Sequence, residues 1–251
     1  MSTFYKTWGS GQRVYLGIHG WGGGWQTFEP LLPYLPANVT LHAVDLPGYG
    51  STSAPQAWTL DAMADAVCEV IDRVQGDITL VGNCSGAIFG MLGVLKRPQR
   101  FERLVLIDPF AYFPWYFRIM TIPALGRLFY ASAFQNPLGR IATNLSLANH
   151  RTDESDLTQS FEALNHDAVF AHLQLLDAVG DYHRFEPITT PIDLVNGEKT
   201  FDAIRRSATL WQGIWPQARV HVLAGAAHLP LEEAPSDLAK IVFRPKKRRV
   251  G

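Results

Sequence analysis

Six short apolar runs punctuate the chain, each ending at turn residues: VYLGIHG (14–20), VTLHAVD (39–45), ITLVGN (78–83), RLVLID (103–108), PIDLVNG (191–197) and RVHVLAG (219–225). Most are nearly continuous rather than alternating, which is the pattern of strands buried on both faces of a parallel sheet. Helical spacing fills the intervals. In TLDAMADAVCEVIDRV (59–74) the residues Leu60, Met63, Ala64, Val67, Cys68, Ile71 and Val74 share one stripe, with Thr59 placed to cap the helix and Asp61 in its first turn. Cys68 lies on that stripe and is read as packing. Strand and helix in alternation predict an α/β domain whose ligand sits in the loops at the carboxyl ends of the strands.

The alternation lapses between Pro109 and Pro187, where no strand-like run appears and the spacing is helical. Residues 1–108 and 188–251 are therefore expected to form one core, and 109–187 a helical insertion, a cap or lid. The insertion opens with FAYFPWYFRIMTIPALGRLFYASAF, nine aromatics in 25 residues, more than one amphipathic helix needs to bury against a sheet. The surplus implies either an apolar pocket or a small core of the insertion's own.

Composition adds limits. At 251 residues, 47% hydrophobic and 18% charged, the chain suits one large globular domain, and a formal net charge of -1 gives no electrostatic reason to expect nucleic acid as a partner. No stretch has the uninterrupted apolar length of a membrane span, so the expected partner is a small apolar molecule. Two cysteines make no disulfide framework, and MSTFYKTWGS lacks the apolar centre of a signal peptide, so the expected compartment is the reducing cytoplasm. The basic cluster RPKKRRV near the C-terminus is read as a solvated tail rather than an import tag. The histidines show neither HExxH nor Cys/His ligand spacing, and no metal or other cofactor is expected.

LVGNCSGA (80–87) sets a thiol and a hydroxyl side by side where an apolar run meets a helical one. A nucleophile on a sharp strand-to-helix turn needs small residues two positions before and two after it, because the backbones approach closely there. Gly82 and Gly86 meet that need around Cys84, whereas a frame centred on Ser85 would put Asn83 at a crowded position. Cys84 is the preferred nucleophile.

With this turn the chain resembles the α/β-hydrolase superfamily, and the resemblance runs through nearly its whole length in the expected order. HGWGGGW (19–25) looks like that family's His-Gly loop, which implies an oxyanion hole from the backbone N–H of Trp21 and of Ser85, the residue after the nucleophile. DLPGYGSTS (45–53) resembles a structural Asp-x-Pro-Gly loop, and AGAAHLPLEEAP (224–235) the segment carrying the general base, His228. The sequence departs from the pattern at the acid: Thr200 occupies the usual station in NGEKTFD. Asp108, at the end of the preceding apolar run, is the preferred acid and Asp202 the alternative, since some relatives, haloalkane dehalogenases among them, take their acid from that earlier strand tip.

Most members carry serine at the nucleophile position, and cysteine there is similar to dienelactone hydrolases. The resemblance implies an α/β-hydrolase fold, a mostly parallel sheet with helices on both faces and a helical cap. A Cys84-His228-Asp108 set implies hydrolysis of an apolar ester, lactone or thioester through an acyl-enzyme, with carrier- or CoA-linked acyl groups included. Two alternatives stand beside it: acyl transfer from Cys84 to an amine, alcohol or thiol, and a catalytically silent binding protein on the same scaffold.

Overall fold

The structure is a computed structural model that describes residues 2–245, so residues 246–250 of the basic cluster lie outside it. Its centre is a seven-stranded sheet in the order β1-β3-β2-β4-β5-β6-β7. The strands are β1 (Tyr5–Trp8), β2 (Arg13–Ile18), β3 (Val39–Val44), β4 (Ile78–Asn83), β5 (Phe101–Ile107), β6 (Ile192–Gly197) and β7 (Arg219–Leu223). β1 runs antiparallel to β3, and every other pairing is parallel. This is an α/β-hydrolase fold, with the expected mostly parallel sheet.

Two apolar layers explain the continuous runs. Leu16, Ile18, Leu80, Leu104 and Leu106 point into one layer with the helices α1 (Leu60–Arg73) and α2 (Ser85–Lys96). Their neighbours Tyr15, Val81, Val105 and Ile107 point into the other, against Leu238 and Val242 of the C-terminal helix. Alternate residues of one strand thus go to opposite layers, and both are buried. Thr59 caps α1 as expected, its hydroxyl accepting from the Ala62 N–H at 3.0 Å.

The periodicity missed β1 because YKTW carries no apolar run; it is an edge strand with only half-buried ends. The opposite edge, β7, reads as apolar yet leaves Val220 and Val222 exposed.

Among the described residues no strand forms between β5 and β6. Four α-helices, joined by short 3-10 and π-helical turns, occupy that stretch: α3 (Trp115–Arg118), α4 (Gly126–Tyr130), α5 (Pro137–Ser146) and α6 (His166–Ala178). After β6 come α7 (Asp202–Ile214), α8 (Pro230–Glu233) and α9 (Pro235–Val242). No helix of the described residues is long and apolar enough to cross a membrane.

Candidate active site

The turn between β4 and α2 holds Cys84 at φ 50° and ψ -120°, a left-handed conformation that costs a non-glycine residue energy. The small neighbours are a steric requirement. A Cβ at Gly82 would stand 2.4 Å from Ala87 Cα, and one at Gly86 would stand 2.2 Å from the His19 carbonyl oxygen. The turn is tied to the next strand by the Cys84 N–H, which donates to Ile107 O at 2.7 Å. Ser85 begins α2 and is buried, so its backbone N–H falls in the first turn, where no intrahelical acceptor exists.

The loop after β2 runs directly against this turn, so close that a Cβ on Gly20 would lie 3.0 Å from Cys84 Cβ. Trp21 follows it, and its side chain is held by Nε1 donating to Val169 O at 2.8 Å. His19, by contrast, is a brace. Its Nε2 accepts from the Leu46 N–H at 3.0 Å, which joins the 19–25 and 45–53 loops, and burial keeps the ring neutral by lowering its pKa.

At the tip of β5, Asp108 is fully buried and adopts φ 47°. Its Oδ2 accepts from His228 Nδ1 at 2.9 Å and from the Thr200 hydroxyl at 2.6 Å, and its Oδ1 accepts from the Gly197 N–H at 3.3 Å. Burial pushes the Asp108 carboxyl up, and these three hydrogen bonds hold it back toward the ionised form. Burial alone would lower the His228 ring, but the bond to Asp108 and its pairing with the Cys84 side chain outweigh that and raise it to about 10. The arrangement favours an imidazolium between a carboxylate and a sulfur.

Asp202 does not join this group. It opens α7, largely exposed, and pairs with Arg205 one turn along the same helix. Phe201 still packs edge-on against the His228 ring at 4.7 Å between centres, but Asp202 after it begins α7 with its side chain exposed. As the alternative acid, Asp202 is corrected to a helix-start carboxylate favoured by the helix dipole.

Two further residues hold the site together. Thr200, which lacks charge, lies 3.4 Å from His228 Nδ1 as well as bonding Asp108, so the usual acid station supports the displaced acid. Glu233 clamps the histidine loop: its Oε2 accepts from the Ala227 and Leu229 N–H groups on either side of His228, at 2.6 and 3.2 Å. Its Oε1 accepts from Thr152 N–H and the Ser155 hydroxyl, fixing the loop to the segment before α6. The motif LEEAP signalled an acidic residue there, but spacing alone does not show which backbone groups a carboxylate will collect.

Cys84 and His228 open into a cavity of about 590 Å³. Six of the nine aromatics in residues 110–134 line it: Phe110, Tyr112, Phe113, Tyr116, Phe117 and Phe134. Tyr130 is instead buried among other rings, and Trp115 and Phe129 are exposed. The aromatic surplus is thus divided between pocket wall, local core and surface. Trp21 joins the wall, edge-on to Phe134 and Phe161 at 4.9 and 4.8 Å between ring centres. No lysine or arginine lines the cavity, and among the described residues no group of three or more His, Cys, Asp or Glu side chains is placed to hold a metal.

Comparison with known proteins agrees with this geometry at the level of the fold. Among similar sequences are the pimeloyl-[acyl-carrier protein] methyl ester esterase of Neisseria meningitidis serogroup C, 29% identical, with 87% of each chain covered. The protein of the same name from Klebsiella pneumoniae is 24% identical, with 98% of each chain covered. Among solved structures, a putative non-heme bromoperoxidase from Mycobacterium tuberculosis superposes with a TM-score of 0.76 at 16% identity, covering 96% of this chain and 94% of that one. A thermophilic esterase from Thermogutta terrifontis gives 0.72 at 21% identity, covering 96% and 91%. Residues 16–241 match the alpha/beta hydrolase family as a whole, and the chain belongs to that family.

Proposed function

We propose that the chain is an esterase-type hydrolase that cleaves an apolar acyl ester or thioester through a thioester to Cys84. The observation that carries this is the hydrogen bond of His228 Nδ1 to the buried Asp108, with His228 and the strained turn at Cys84 opening into one cavity rich in aromatic rings. Cys84 Sγ attacks the carbonyl carbon, and the N–H groups of Trp21 and Ser85 receive the charge that develops on its oxygen. His228 then gives its proton to the departing alcohol or thiol. In the second half, water attacks the thioester with His228 as base, releasing the acid and the thiol. Residues 109–187 act as a cap whose rings exclude bulk water from this exchange.

The relatives' name suggests the substrate class. They are esterases of a methyl ester whose acyl chain is carried by a protein, and a cavity of this size, rich in aromatic side chains and without a lysine or arginine in its lining, suits a medium acyl chain. The aromatic walls also favour a second reading, transfer of the acyl group to an amine or thiol. Turnover of p-nitrophenyl butyrate with and without added butylamine separates the readings. Hydrolysis predicts butyric acid as the product in both cases; butyl amide would move the assignment to transfer. Ester binding without nitrophenol release would reduce the chain to a receptor.

The Thr200 bond gives a smaller effect of definite sign. Thr200→Val removes a donor that keeps Asp108 ionised, so the acidic limb of kcat/KM should move to higher pH, with a loss of about five- to tenfold near neutrality. Thr200→Ser should restore both. A pH profile identical to that of the parent would show that the hydroxyl is only filling space.

A further inference from the structure

The phenolic oxygen of Tyr116 is buried and has no hydrogen-bond partner among the described residues. A hydroxyl taken out of water and left unpaired is destabilising, and native structures seldom leave one without a use. Tyr116 is a lining residue of the cavity into which Cys84 and His228 open. Arg13 Nε and Asn196 Oδ1 are also buried and unpaired, but neither residue lines that cavity.

We infer that Tyr116 is a substrate-contacting residue whose O–H donates a hydrogen bond to an oxygen of the ester bound for attack by Cys84. This rests on the esterase reading above and adds to it a side-chain donor beside the two backbone N–H groups.

Three observations point the same way. First, the ring is held by its neighbours rather than by its hydroxyl. It packs on Phe117 at 4.9 Å between centres, and Phe117 in turn meets Trp21, Phe110 and Phe113. The side chain is fixed at the start of the 109–187 segment with its polar atom uncommitted. Second, burial raises the phenol's pKa, and the nearby Tyr112, Cys84 and Asp202 raise it further, so the group remains a protonated donor across the working pH range. Tyr116 and Cys84 line the same cavity. Third, much of the cavity wall is aromatic, so a substrate oxygen entering it loses water and gains from a donor already in place.

An ester offers two such oxygens, the carbonyl oxygen and the leaving-group oxygen, and both are uncharged acceptors in the bound substrate. A contact to the first strengthens as that oxygen gains charge during attack, and it appears in kcat. A contact to the second is absent from a thioester, whose leaving atom is sulfur.

The test is Tyr116→Phe, which keeps the ring and deletes the hydroxyl. The inference predicts a fall of at least about tenfold in kcat/KM for p-nitrophenyl butyrate, with a thermal midpoint equal to or above the parent's, since no protein hydrogen bond is lost. Iodoacetamide labelling of Cys84 should proceed at the parent rate, because that reagent does not need the donor. Running S-phenyl thiobutyrate alongside identifies the acceptor: an equal loss on both substrates marks the carbonyl oxygen, and a loss on the oxygen ester alone marks the leaving-group oxygen. Unchanged kcat/KM on both substrates would overturn the inference, as would a lowered thermal midpoint with slowed labelling, which would make the hydroxyl structural. Failure of the esterase reading is separately visible, because the parent itself would then release no nitrophenol.

Discussion

Replacing Cys84 with alanine should lower kcat/KM for p-nitrophenyl butyrate by about 10⁴-fold or more, leaving only the catalysis that oriented backbone donors and binding supply. The size follows from the position. Cys84 is the residue held at φ 50° where the strand gives way to α2, and no other thiol lies near: Cys68 is packed on α1, its pKa raised by burial. Iodoacetamide should accordingly label one site and remove turnover in proportion. The fold should survive the substitution, since alanine fits the turn and removes no atom from either apolar layer. Cys84→Ser should keep the geometry but lose most of the rate, because a hydroxyl is a far weaker acid than a thiol and needs full base assistance from His228. A Cys84→Ala protein that turns over like the parent would move the chemistry elsewhere.

The second large effect belongs to Asp108. Asp108→Asn should reduce kcat/KM by about 10² to 10³, less than the 10⁴ typical of a serine-based triad, because a sulfur nucleophile depends less on base assistance. The pH profile should change with it. Activity needs the His228 proton for the leaving group, so the parent's rate should fall as pH rises through about 10. The Asp108 hydrogen bond is the leading contribution that lifts the ring, and removing it should draw this alkaline limb toward the ordinary histidine value of 6.5. Stability follows the same sign. A ring whose folded pKa lies above its unfolded value stabilises the fold fully below about pH 6.5 and loses that contribution as pH climbs through about 10. Asp202→Asn, in contrast, should leave rate and profile unchanged, since its carboxylate faces solvent against Arg205.

What could be read from residue order and what could not divide along physical lines. The central strands were legible because Leu80 and Val81, or Leu104 and Val105, fill opposite apolar layers and leave a continuous run. β1 was not, because YKTW pairs through its backbone at an edge and needs no apolar face. At the site, Gly82 and Gly86 marked the turn, since their contacts forbid any side chain and leave a trace in the sequence. The histidine loop left a similar trace in AGAAHLP.

Contacts made across long separations left none. The choice of Asp108 over Asp202 came from a resemblance to other chains, not from spacing in this one. The carboxylate of Glu233 gathers two N–H groups beside His228 and two donors from residues 152 and 155. Thr200 read as a missing acid until its hydroxyl was found on Asp108. The aromatic run in 110–134 showed surplus but not direction, and the unpaired oxygen of Tyr116 could be seen only once its surroundings were in place.

The most direct test of a thioester on Cys84 is the intact mass of the protein quenched in acid within the first turnover of p-nitrophenyl butyrate, followed by peptide mapping. The account predicts one added butyryl group, located on Cys84, absent from Cys84→Ala and persisting longer in Asp108→Asn. A butyryl group on Ser85, or rapid nitrophenol release from a parent protein that never gains mass, would contradict it.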